Sequence, residues 1–389
     1  MKNIFWSTFL LSCSTAVAQV TSSNCTAVVF TVSGTAQNRN ISASIPLGTL
    51  DGLVNAFNNA TLFEVSGTQT LAGTFCKPSV INANNQKLQM LFGSITANRD
   101  GWDAEGGVGT DFPEYQPERY SWVRYMNNKG YPTLAMDRLG TGRSAHPDPI
   151  LVVQAPYEIA LYNSLARQVR AGTTGQLPRA YNFLIYIGNS YGSNMGTGTA
   201  GADPTAYDEY VLTGYSKNVQ QDFLGISLVL PLPAALVDPA RFGSLPAGYL
   251  TSSSQTGRTN SFFGSKAQVD FDDTLAQLFF QRKDVVTIGQ FVTLYALYYS
   301  APEYTGRVLV LTGEQDQAYC GPGSPVIGPA GCGSLLQETG TLFPKAQYNW
   351  KSVDRVGHGI QLHIRSQTVY DIAQRFLAGE SFQGGAPAK

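Results

Sequence analysis

The strongest constraint on this 389-residue chain is a short apolar run that ends in a small, glycine-bracketed turn. Phe183-Leu184-Ile185-Tyr186-Ile187 has no polar position, which fits a strand buried on both faces rather than one wetted on its outer side. Gly188-Asn189-Ser190-Tyr191-Gly192 follows at once. A serine between two such glycines, at the point where a strand gives way to a helix, stands exposed at the carboxyl edge of a sheet. The surrounding sequence repeats the theme. Leu88–Phe92, Thr133–Met136, Glu209–Gly214 and Val308–Leu311 are short strand candidates. Between them Pro117 to Met126, closed by Gly130, and Ile159, Tyr162, Leu165 and Val169 keep helical spacing. Val369, Ile372, Phe376 and Leu377 make a last helix ending at Gly379. Apolar strands alternating with amphipathic helices predict a mostly parallel sheet covered on both sides.

Two stretches fall outside the alternation. Residues 25–80 read as strand and turn, led by the β-branched Ala27–Val32. Residues 217–303 hold no convincing parallel strand. Their apolar Phe223–Val237 contains Pro231 and Pro233 and is too short to span a bilayer. The segment reads as a mainly helical insertion over the sheet. Most of its aromatics, among them Phe262, Phe263, Phe279, Phe291 and Tyr298, are expected to pack its own core, with some facing what lies beneath.

A serine hydroxyl needs a base, and the chain carries only three histidines: His146, His358 and His363. His358, flanked by Gly357 and Gly359, follows every strand candidate, so chain order favours it. His146 lies in an early loop, and His363 is expected at the start of the terminal helix. The acid should follow Val308–Leu311. Of Glu314 and Asp316, Asp316 sits far enough past the strand to reach an imidazole, leaving Glu314 as a solvated loop residue. Asp137-Arg138-Leu139-Gly140-Thr141-Gly142-Arg143-Ser144 lacks the spacing of a dinucleotide or phosphate loop and is expected to shape a turn. Asp270, Asp272 and Asp273 read as a solvated acidic loop. No His-Glu-x-x-His or paired Cys-x-x-Cys occurs, so no metal site is expected, and no cofactor is implied.

Composition trims the remaining classes. Twenty-six basic against 27 acidic residues leave no field for a nucleic-acid partner. Lys2, the apolar Ile4–Leu11 and Ala16-Val17-Ala18 form a signal-peptide pattern with cleavage near Ala18 and a secreted product. With Cys13 removed, four cysteines remain, and Cys25–Cys76 with Cys320–Cys332 is the simplest of three possible pairings. Asn24, Asn40 and Asn59 each head a glycosylation sequon.

Asp137-Arg138-x-Gly140-x-Gly142-x-Ser144, Gly188-x-Ser190-x-Gly192, Gly313-x-x-Asp316 and Gly357-His358, in that order, resemble the α/β-hydrolase superfamily, and within it secreted fungal serine hydrolases of the esterase and lipase type. The resemblance implies an α/β-hydrolase core over 19–216 and 304–389, with 217–303 as a cap inserted before the acid-bearing strand. It implies a Ser190–His358–Asp316 triad and an oxyanion hole built from the Tyr191 N–H and a second donor after Leu88–Phe92. Relatives carry His-Gly there. Here Phe92-Gly93-Ser94-Ile95 leaves two alignments, with Ile95 or Ser94 as the donor. The expected activity is cleavage of a small-molecule carboxylic ester with an apolar or aromatic group. The rivals are an amide or peptide hydrolase on the same triad, haloperoxidase-like perhydrolysis, and a non-catalytic binding protein of the same fold. Epoxide hydrolases and dehalogenases of this fold use an aspartate where Ser190 stands.

Overall fold

The computed structural model describes residues 24–42, 48–218, 229–297, 299–320 and 331–383. The signal-peptide pattern and Tyr298 lie outside them. Eight strands form one sheet in the order β1-β2-β4-β3-β5-β6-β10-β11. They are β1 (Cys25–Arg39), β2 (Leu62–Cys76), β3 (Lys87–Phe92), β4 (Thr133–Met136), β5 (Phe183–Asn189), β6 (Glu209–Thr213), β10 (Arg307–Gly313) and β11 (Gln347–Val353). From β4 to β11 all neighbours are parallel, whereas β1 and β2 add an antiparallel edge.

Alternation along the central strands explains their uninterrupted apolar sequence. Leu184 and Tyr186 of β5 join one buried cluster, and Ile185 and Ile187 join the other, on the opposite face. Helices cover both faces. Helix α4 (Ala155–Ala171) starts on Pro156 and stops at Gly172, whose φ of 67° only glycine adopts without strain. Helix α5 (Tyr191–Ala202) follows Ser190 directly. The C-terminal helix Ser366–Leu377 packs Val369, Tyr370 and Phe376 beneath the second face.

Several details differ from expectation. The connection between β1 and β2 carries a helix, α1 (Leu50–Asn59), rather than strand and turn alone. The helix opened by Pro117 breaks into α2 (Pro117–Tyr120) and α3 (Trp122–Asn128), because Ser121 turns its side chain to cap the Arg124 N–H. Between β6 and β10, five helices accompany a three-stranded antiparallel sheet of β7 (Pro231–Pro233), β8 (Tyr249–Ser252) and β9 (Val286–Thr287) among the described residues. Asp272 caps the helix Asp273–Gln281 and accepts the Tyr115 hydroxyl, and Asp270 pairs with Arg355, while Asp273 stays solvent-exposed. No helix among the described residues is long and apolar enough to cross a membrane.

Disulfides join Cys25 to Cys76 and Cys320 to Cys332. The first closes the β1–β2 pair at its open end, where those two residues face each other in register. It spans a sequence separation of 51. Loop-closure entropy on that scale is worth about 4 kcal/mol. Replacing both Cys25 and Cys76 by alanine should therefore lower the unfolding free energy by roughly that amount, read by urea unfolding with the slope fitted for each protein, because the unlinked unfolded chain exposes more surface.

Candidate active site

Residue Ser190 occupies the junction of β5 and α5 at φ 56° and ψ −118°. A side chain in that region costs on the order of 1–3 kcal/mol, and the neighbours leave the backbone no alternative. The Ser190 N–H donates to Thr213 O at 2.9 Å, and its carbonyl accepts from Ser193 and Asn194 in the first turn of α5. The flanking glycines are sterically required. A Cβ on Gly188 would lie 2.7 Å from the Gly192 backbone, and one on Gly192 would collide with the Phe92 carbonyl at the end of β3.

The imidazole of His358 lies beside this hydroxyl. Its Nε2 is 2.8 Å from Ser190 Oγ, and its Nδ1 is 2.9 Å from Asp316 Oδ2. With Nδ1–H donating to the carboxylate, Nε2 is left to accept the Ser190 proton. Asp316 Oδ1 accepts the N–H groups of Ala318 and Tyr319, both at 2.9 Å, which fixes the carboxylate plane. All three side chains are buried. The Cys320–Cys332 disulfide braces the acid loop from behind, and Glu314 Oε1 accepts the Cys332 N–H at 3.2 Å. Glu314 therefore serves the loop rather than the imidazole.

The other histidines are not brought to Ser190. His146 packs 5.6 Å from the Tyr249 ring and lines a cleft of about 400 Å³ with Asp100, Asp137 and Asp284. His363 precedes the terminal helix by a few residues and lies fully buried under the His358 loop. Its Nδ1–H donates to Gly359 O at 2.9 Å, and its Nε2 accepts the Gly357 N–H at 3.0 Å. It thus ties together the residues on either side of His358. Burial pushes its pKa below the ordinary 6.5, which keeps the ring neutral and able to accept.

The loop after β3 carries both residues proposed as second donor, Ser94 and Ile95, each buried. Two arginines hold it. Arg138 Nη2 donates to Ser94 O at 2.9 Å, and Arg258 Nη2 donates to Thr96 O at 2.9 Å. Arg258 comes from the helix Gln255–Phe262, where burial pushes its guanidinium down to about 9. Tyr191 begins α5, and its hydroxyl donates to Glu158 Oε2 at 2.6 Å. Neither Arg258 nor Glu158 carried a recognisable signal in the sequence. Arg138 stood in a noted turn motif, but its contact with Ser94 spans 44 residues. Aromatics of the 217–303 segment do face the site: the Phe262 ring is 5.3 Å from that of His358, and Phe279 packs against Phe262 at 4.9 Å.

No protein-family model matches the chain, and no curated protein matches it. Solved structures do resemble it in fold. One is an α/β hydrolase fold protein from Chitinophaga pinensis, at TM-score 0.48 and 13% identity over 80% of this chain and 94% of that one. Another is a thermophilic esterase from Thermogutta terrifontis, at TM-score 0.47 and 12% identity over 80% and 94%. A complex of a VrEH2 variant gives TM-score 0.50 and 10% identity over 80% and 96%. At such identities the likeness concerns architecture alone, and the architecture is the α/β-hydrolase fold.

Two measurements probe the local physics. Glycine tolerates the Ser190 backbone, so Ser190→Gly should be more stable than Ser190→Ala by about 1 kcal/mol, read by denaturant unfolding. A less stable glycine variant would show that the turn stores no strain. For His363, protonation is penalised in the folded state only. Its stabilising contribution is therefore complete above the ordinary pKa of 6.5 and declines as pH falls below it. His363→Asn should show a shallower loss of stability than the parent between about pH 6.5 and about pH 5. His146, whose pKa burial also lowers, keeps part of the slope in both proteins.

Proposed function

We propose that the chain is a secreted serine hydrolase that cleaves a small-molecule carboxylic ester through an acyl-enzyme. The observation that carries this reading is the hydrogen-bonded line Asp316–His358–Ser190, with steps of 2.9 and 2.8 Å, ending on the strained turn of β5. In the first step Ser190 Oγ attacks the ester carbonyl while its proton moves to His358 Nε2. The carbonyl electron pair shifts to oxygen, and the backbone N–H of Tyr191 with that of Ile95 or Ser94 accommodates the charge. Collapse expels the alcohol, which takes the proton from Nε2. Water then attacks the acyl-enzyme by the same route and releases the acid. Asp316 stays ionised, holding the tautomer and stabilising the imidazolium.

Residues 217–303 serve as the cap in this reading, inserted into a core of 19–216 and 304–389. Phe262 beside the imidazole, with Phe279 packed against it, favours an apolar or aromatic substrate group. Secretion rests on the N-terminal pattern and is consistent with two disulfides and with exposed sequon asparagines Asn24, Asn40 and Asn59.

An ester panel of varied acyl length and aromaticity, run beside an aminoacyl anilide and a fluorophosphonate probe, tests the proposal. Ser190→Ala should abolish covalent labelling and reduce kcat/KM by about 10⁴-fold or more, with His358→Ala comparable and Asp316→Asn about 10⁴-fold. His146→Ala should retain turnover. Ester hydrolysis undiminished in folded Ser190→Ala would overturn the assignment, and faster cleavage of the anilide would replace the ester reading with an amide one.

A further inference from the structure

Beneath the nucleophile turn lies a polar group that the reaction scheme leaves unused. Glu158, in the first turn of α4, is fully buried beneath the sheet edge. Its Oε2 accepts from the Tyr191 hydroxyl at 2.6 Å and from Gln290 Nε2 at 3.0 Å. Its Oε1 accepts from the Tyr162 hydroxyl at 2.7 Å and faces Arg138 Nη1 at 3.8 Å. Burial raises the Glu158 pKa, while the Arg138 charge and the three hydrogen bonds oppose that rise. A carboxylate placed this deep is costly unless something fixes its partners in turn.

Both partners that lead out of this cluster go to the same place. Tyr191 is the residue after Ser190, and its ring lies 4.9 Å from the Arg138 guanidinium. Arg138 donates its other nitrogen, Nη2, to the Ser94 carbonyl. That carbonyl belongs to the peptide joining Ser94 to Ile95. The unit is planar and trans, so holding its oxygen sets the direction of the Ile95 N–H and the position of Ser94. One buried carboxylate therefore anchors the Tyr191 side of the oxyanion hole directly and the Ser94–Ile95 side through Arg138.

We propose that Glu158 is a positioning residue that sets the spacing of the two walls of the oxyanion hole. The inference rests on the serine-hydrolase reading above. It assigns Glu158 no contact with substrate. Its effect is confined to the state in which the carbonyl oxygen is charged, because neutral substrate makes little use of the spacing. A misplacement of about 1 Å at such donors can cost about a hundredfold.

The experiment compares wild type, Glu158→Gln and Tyr191→Phe in p-nitrophenyl ester turnover and in inhibition by an aryl trifluoromethyl ketone. Ser190 adds to that ketone to give a tetrahedral hemiketal whose oxygen occupies the hole. Tyr191→Phe removes only the hydroxyl and keeps the ring against Arg138, so it decides the matter if Glu158→Gln does not fold. Tyr210→Phe, which deletes a buried hydroxyl 3.3 Å from Thr199, controls for general loosening. The expected result is a loss of about tenfold to a hundredfold in kcat and in ketone affinity together, with KM within about twofold of wild type. The control should keep its ketone affinity. Ketone affinity within about twofold of wild type in both site variants, with wild type active, overturns the role of Glu158 alone. A wild type that is neither labelled by fluorophosphonate nor active overturns the triad reading and this inference with it.

Discussion

The close approach of two backbones governs the geometry of the site. The Phe92 carbonyl, at the end of β3, occupies the space a side chain at Gly192 would need, and Gly188 meets the Gly192 backbone from the other side. That contact exists because β3 and β5 are adjacent and parallel, with Phe92 opposite Gly188. It brings the start of α5 against the loop that carries Ser94 and Ile95. Once those backbones touch, Ser190 is forced to a positive φ, and its side chain has one direction left. The strain at this residue is a consequence of packing around it, and relaxing it would require pulling two central strands apart.

Charges deep in the fold hold the loops that this packing brings together. Glu158, Arg138 and Arg258 are nearly or wholly excluded from solvent, and apart from the Glu158–Gln290 contact their hydrogen bonds land on backbone or hydroxyl groups near the site. In a low-dielectric interior such bonds are stiff, and an unpaired partner is expensive. Apolar side chains could fill the same volume with comparable stability, but they would not fix the orientation of a single peptide group. Directional polar contacts hold these loops in one orientation.

The motif at Ser190 was legible because its physics is local: an apolar strand, two glycines and a turn lie within ten residues. The same holds for β10 followed by Asp316, and chain order points to His358, whose Nε2 the fold places 2.8 Å from Ser190 Oγ. The elements without a local sequence signal depend on distant partners. Strands β7, β8 and β9 are two to four residues long and exist only by pairing with one another. Strand β11, Gln347–Val353, is a polar edge strand with weak alternation, and helix α1 buries only Leu53 and Phe57. Among site residues, Glu158 and Arg258 reach partners 33 and 162 positions away. A charged residue on a helix reads as solvent-facing until the chain that covers it is known.

The segment between β6 and β10 is part of the same argument, because it touches both halves of the site. Arg258 holds the Thr96 carbonyl in the loop after β3, while the Phe262 carbonyl accepts the Gly359 N–H at 2.7 Å beside His358. One short helix, Gln255–Phe262, therefore bridges the Thr96 loop and the His358 loop on either side of Ser190. The His358 loop carries only a short 3-10 turn, Ile360–Leu362, and is held by Phe262 from above and by His363 from below. A segment that supplies such contacts is part of the scaffold around Ser190. Its folding onto the sheet completes the placement of His358, which ties the assembly of the site to the docking of that helix.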